Sequence, residues 1–104
     1  NEPELRAKLW RNIRYMLANL RRMGFNLGNA ETAIIPIIVG DETKLKLISR
    51  EVHQAGIFVN PVYYPAVPKK LSRLRLSLMA THTQEDLDDT LVVLEKVGKK
   101  YGLI

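Results

Sequence analysis

The 104-residue chain contains no cysteine, which excludes both a disulfide framework and a thiolate metal site. Its longest purely apolar run, Ala33 to Val39 with Pro36 inside it, is far too short to span a bilayer as a helix. No basic-then-apolar export signal stands at the front, so a cytoplasmic protein without a membrane span is expected. The chain opens on Asn1 rather than methionine, which suggests a piece of something longer. Several chemistries lack their motifs. There is no GxSxG nucleophile turn, no GxGxxG and no GxxxxGKS/T phosphate loop. The two histidines, His53 and His82, show no HxxxH spacing, and no metal is expected. Aromatics make up only 7% of the residues, too few to suggest a base-stacking platform.

What is present is a 46% hydrophobic chain with net charge +5, sized for one domain with one modest core. Positive charge of that size suits a nucleic acid, an anionic metabolite or no charged partner at all. From Pro3 to Met23, Leu5, Leu9, Ile13, Met16, Leu17 and Leu20 trace one helical stripe, and Gly24 is a natural stop. Lys8, Arg11, Arg14, Arg21 and Arg22 lie mostly opposite, either as a nucleic-acid face or as an ordinary solvated one.

"TAIIPIIVG" reads as a strand, and Pro36, which has no N–H to donate, places it at a sheet edge or a bulge. Asp41 is a suitable N-cap for a short helix carrying Leu45, Ile48, Val52 and Ala55 and ending at Gly56. "IFVN" reads as a short strand, followed by a loop in which Pro61, Pro65 and Pro68 exclude helix and central strand. "SRLRLSL" is a third strand, and Thr83 caps a last helix whose buried stripe is Leu87, Leu91, Leu94, Val97 and Tyr101. The order helix, strand, helix, strand, strand, helix predicts an α/β two-layer sandwich. A small, mainly antiparallel sheet of about three strands would be covered on one face by helices.

The third strand carries the candidate chemistry. Alternation sends Leu74, Leu76 and Leu78 to one face and Arg73, Arg75 and Ser77 to the other. The two arginines are then about 7 Å apart and could grip a carboxylate or phosphate in bidentate fashion, as lysine cannot. Spacing alone does not separate that from two solvated arginines on an exposed sheet face. His82, between Thr81 and Thr83, suits a surface or capping role better than a ligand's. His53 has a structural place in its helix.

At this point the residues resemble a known family. "GIFVNPVYYPAVPKKLSRLRLSLMATHTQEDLDDTLVVLEKVGKKYGLI" looks like the C-terminal end of the α-oxoamine synthases, which use pyridoxal 5'-phosphate (PLP) to condense an amino acid with an acyl-CoA. "EPELRAKLWRN" and "ETAIIPIIVGDE" resemble the start of that family's small domain, so the likeness covers essentially the whole chain. Within the family, "YPAVPKKLSRLR" (Tyr64 to Arg75) and the ending "VGKKYGLI" are most like glycine C-acetyltransferase. Serine palmitoyltransferase and 8-amino-7-oxononanoate synthase are the alternatives. Tyr63 and Tyr64 stand where some bacterial serine palmitoyltransferases have arginine ahead of a Pro-Pro-Ala-Thr-Pro loop.

The resemblance implies that Arg75 holds the amino-acid substrate's carboxylate and that Tyr64 and Pro65 belong to a loop near the acyl-CoA entrance. It assigns no role to Arg73, His82 or Tyr63. It also implies that the Schiff-base lysine, the cofactor aspartate and the ring-stacking histidine lie in a larger upstream domain. Residues 1–104 are then a single domain excised from a homodimeric PLP enzyme. By itself the domain would hold no cofactor, contain no catalytic residue and turn over no substrate. The reading of another class is a freestanding basic α/β module that binds RNA or regulates a partner.

Overall fold

A computed structural model of the chain describes residues 2–28, 34–57, 59–78 and 82–104. The first helix, α1 (Glu2–Met23), buries Ile13, Met16, Leu17 and Leu20 as its stripe predicts. Leu5 departs from that stripe. It is 52% exposed, since the first turns of α1 run beyond the core. Gly24, at φ 106°, ends the helix, and the chain turns back so that Asn26 O accepts from Ile38 N at 2.8 Å.

β1 (Ile34–Ile38), β2 (Val59–Val62) and β3 (Arg73–Ser77) form a three-stranded antiparallel sheet in the order β1-β3-β2. Both outer strands run antiparallel to β3, so they are parallel to one another. The helix between them, α2 (Glu42–Gln54), makes a split β-α-β unit with β3 inserted. Pro36 lies on edge strand β1, as its missing N–H requires.

β2 differs from the sequence expectation. It begins at Val59 and takes in Pro61 and Val62, which composition had assigned to the loop. The reason is again position: β2 is the other edge, where one row of backbone groups needs no ladder partner. Of the expected "IFVN" strand, Phe58 lies outside the described residues, as do Thr32 and Ala33 of the first strand.

Leu74, Leu76 and Leu78 are buried on one face of β3, with Ile35, Ile37 and Val59 beside them. The apolar stripes of α1, α2 and α3 (Gln84–Lys100) close over that face, giving the two-layer α/β sandwich. Each fully buried aliphatic side chain contributes about 1.5–3 kcal/mol relative to exposure. α2 starts where Asp41 accepts from Thr43 N (2.9 Å) and Lys44 N (3.1 Å). Ala55, expected in its buried stripe, is instead the exposed C-cap. His53 Nε2 lies 2.8 Å from Val59 O and ties the end of α2 to β2, a structural role.

Thr83 and Asp86 form a capping box at the start of α3: Thr83 Oγ1 accepts from Asp86 N, and Asp86 Oδ2 accepts from Thr83 N. Leu87, Leu91, Leu94 and Val97 are buried along α3, and Tyr101 is half-buried. No helix among the described residues is long and apolar enough to cross a membrane.

Candidate functional site

α1, α2 and α3 lie on the leucine face of the sheet, which leaves the arginine face open among the described residues. Its composition follows from register, because residues directly opposite in an antiparallel pair share a face. Arg75 stands between Pro36 on β1 and Asn60 on β2, and Arg73 stands between Ile38 and Val62. Ser77 faces Ile34, which is 46% exposed.

The two arginines differ. Arg73 is half-buried, and its Nε donates to Leu71 O at 3.0 Å, so its guanidinium is tied to the backbone of its own turn. Arg75 is exposed, and among the described residues no hydrogen bond or ion pair engages it. A guanidinium at the centre of a three-stranded sheet, flanked by Pro36 and Asn60, is a ready grip for a planar anion.

The proline loop leaves β2 just beyond Val62, at the Arg73 end of this face. Tyr64 is 61% exposed, and the Tyr64–Pro65 peptide bond is cis. The backbone N–H of Tyr64 donates to Glu42 Oε2 (3.1 Å), and Lys69 Nζ lies 5.5 Å from the Tyr64 ring centroid. The loop's far end is fixed where Ser72 O accepts from Val39 N and Gly40 N. Gly40 adopts φ 78°, and a Cβ there would meet Lys70 O at 3.0 Å, so neither the backbone angle nor the space admits a side chain. Tyr64 therefore lies off the Arg73 end of the face, four residues, at most about 14 Å, beyond Asn60, the residue opposite Arg75.

His82 lies elsewhere. It is half-buried at the other end of β3, lining a cavity of about 490 Å³ together with Ser77, Asp86, Asp89 and Thr90. Its backbone O accepts from Asn12 Nδ2. The Asp86 carboxyl is held below its ordinary range by the Thr83 backbone N–H and then by the Thr83 hydroxyl, the chemistry of a helix cap.

Residue reading had not singled out Asn60 or the apolar companions of the arginines. A signal was present in "IIPII", which is apolar on both faces, as strands covered on both sides are.

Comparison with known proteins agrees with this fold. Residues 1–94 match the family model for aminotransferase class I and II. The 8-amino-7-oxononanoate synthase of Thermoanaerobacter pseudethanolicus is 44% identical over 100 residues, covering 96% of this chain and 25% of that protein. The synthase of the same name from Symbiobacterium thermophilum is 43% identical over 103 residues, covering 99% of this chain and 26% of that one. Among solved structures, serine palmitoyltransferase from S. paucimobilis, with a bound PLP–myriocin aldimine, has a TM-score of 0.92 at 29% identity. It covers 100% of this chain, which covers 27% of it. The Sphingomonas wittichii serine palmitoyltransferase has a TM-score of 0.90 at 36% identity, with 96% of this chain and 26% of that one covered.

The chain thus spans about a quarter of the length of the relatives it matches. Both kinds of relative are α-oxoamine synthases, as the proline loop, the Arg-x-Arg strand and the start of α3 implied. The subgroup changes: these relatives bear the names that the sequence motifs had ranked behind glycine C-acetyltransferase. The chain belongs to the aminotransferase class I and II family.

Proposed function

We propose that this chain is the C-terminal, substrate-gripping domain of a PLP-dependent acyl-CoA:amino acid C-acyltransferase, and that 8-amino-7-oxononanoate synthase is the member it fits best. The observation that carries the reading is Arg75, an exposed guanidinium that no hydrogen bond or ion pair engages among the described residues, at the centre of a sheet face between Pro36 and Asn60. The identities of 43–44% to synthases of that name, over nearly the whole chain, favour the subgroup. Serine palmitoyltransferase is the second reading, supported by the TM-scores of 0.92 and 0.90. A freestanding RNA-binding module is disfavoured by the enzymes this chain matches.

The residues present fit a substrate carboxylate and do not fit PLP. None of the outward-facing residues of β1, β2 and β3 is a lysine, so no strand residue beside Arg75 offers an amine for a covalent link to the cofactor. The cofactor's contacts belong to the remainder of a longer protein, and residues 1–104 form its small domain. What this domain supplies is orientation. A bidentate pair fixes both the position and the plane of the carboxylate, and so sets how the Cα substituents are presented to the reacting groups. Tyr64 and Pro65 border the approach of the acyl-CoA, and the assembled enzyme is a homodimer.

The test is to express the full-length parent and supply acyl-CoA donors with glycine, alanine or serine. Formation of 8-amino-7-oxononanoate is expected. A ketone derived from serine or glycine would move the assignment to another subgroup, and a full-length protein that condenses none of these would overturn the reading. The chain of residues 1–104 alone is expected to form no product.

A further inference from the structure

Arg75 is flanked unequally, and the difference has a chemical consequence. On the β1 side stands Pro36, with no polar side chain and no N–H. On the β2 side stands Asn60, exposed, its side chain engaged by no hydrogen bond among the described residues. Directly opposite residues in an antiparallel pair hold their Cβ atoms about 4.5–5.5 Å apart, within reach of one bound carboxylate. A carboxylate has about four acceptor sites, and an arginine fork satisfies two. When a covering surface removes water from this face, the other sites need a donor or their desolvation is uncompensated. The Asn60 amide is the one polar side chain that register places next to Arg75 on β1 or β2.

We infer that Asn60 is the second residue of the carboxylate site, its side-chain N–H donating to the oxygen that Arg75 leaves on the β2 side. This rests on the reading of Arg75 given above and adds a direction to it. Proline on one flank and an amide on the other bias the carboxylate toward β2, so the pair selects an orientation as well as a charge. Replacing the amide by a carboxylate turns the donor into a like charge facing the substrate, which disfavours binding more than truncation does.

The full-length enzyme is used for the test, with Asn60→Ala, Asn60→Asp and Arg75→Ala compared by steady-state kinetics and by calorimetric titration of the amino acid. Asn60→Ala is expected to weaken amino-acid binding about 10-fold and Asn60→Asp about 100-fold, with KM for acyl-CoA unchanged. Asn60→Ser, which keeps a donor, recovers part of the loss. If Arg75→Ala weakens amino-acid binding and both Asn60→Ala and Asn60→Asp leave it unaltered, Asn60 has no part in the site although Arg75 does. If Arg75→Ala has no effect either, the carboxylate site itself is wrong. Equal rises in KM for both substrates would mark Asn60 as a structural residue and also overturn the inference.

Discussion

Arg75 is available because none of the described residues beside it engages it. Arg73, one residue away in alternation, is tied to Leu71 O, and neither Pro36 nor Ile38 presents an acceptor side chain. Arg73→Ala is therefore expected to change amino-acid KM several-fold less than Arg75→Ala, which steady-state kinetics of the two full-length variants would compare. Elsewhere, single atoms govern stability. A Cβ added at Gly98 in α3 would sit 2.6 Å from Phe25 Cζ and 3.2 Å from Ile104 Cγ1. Overpacking costs about 1–3 kcal/mol, against a gain of about 1 kcal/mol in helix propensity. Gly98→Ala is expected to lower the melting temperature by several degrees, and adding Phe25→Leu to recover part of that.

Glu51 titrates differently from a free carboxylate. The Lys100 ammonium at 2.6 Å, and then the Tyr101 hydroxyl, hold its carboxyl below the usual range. A folded pKa below the unfolded one stabilises the fold at neutral pH, and that contribution is lost as pH falls through the lowered value. Lys100 is raised by the same pair, so its share persists at neutral pH and is lost at strongly alkaline pH. Melting curves from pH 7 to pH 3 should fall more steeply for the native chain than for Glu51→Gln. Parallel profiles would remove the pair from the pH response.

Among the elements, the helices depend on side-chain caps. Asp41 takes the N–H groups of Thr43 and Lys44, and Asp41→Ala is expected to cost about 1 kcal/mol, or roughly 4–8 °C in melting temperature for a domain of this size. That cap also steadies the first turn, from which Glu42 reaches Tyr64 N. Most of the element map was legible because caps and stripes are local signals: Asp41, Thr83 and the spacing from Leu87 to Val97 lie within one or two turns of what they control. β2 runs on to Val62, beyond the "IFVN" expected from sequence, because proline argues against a strand unless the strand is known to be an edge. Being an edge is a property of pairing with β3, which no local pattern encodes. The exposure of Leu5 and Ala55 has a similar cause, since a stripe shows which face is apolar and not how far the core extends.

For the molecule as a whole, the informative feature is a sheet that α1, α2 and α3 cover on one side, with the other face open among the described residues. Arg75 could be named from sequence through the motif it sits in, whereas its companion Asn60 depends on register across the intervening loop and emerged only once the strands were paired. Ile34, Pro36, Ile38 and Val62 form the apolar surround on which the rest of a longer enzyme would close, and dry surroundings strengthen a guanidinium–carboxylate pair. Hydrogen bonds to a charged group contribute about 1.5–3 kcal/mol, equivalent to roughly 10- to 150-fold in binding. The decisive experiment is Arg75→Ala in the full-length protein, varying the amino acid at saturating acyl-CoA. A fall of about 10- to 100-fold in kcat/KM for the amino acid, with KM for acyl-CoA unchanged, is expected. An unaltered kcat/KM for the amino acid would contradict the role given to this arginine.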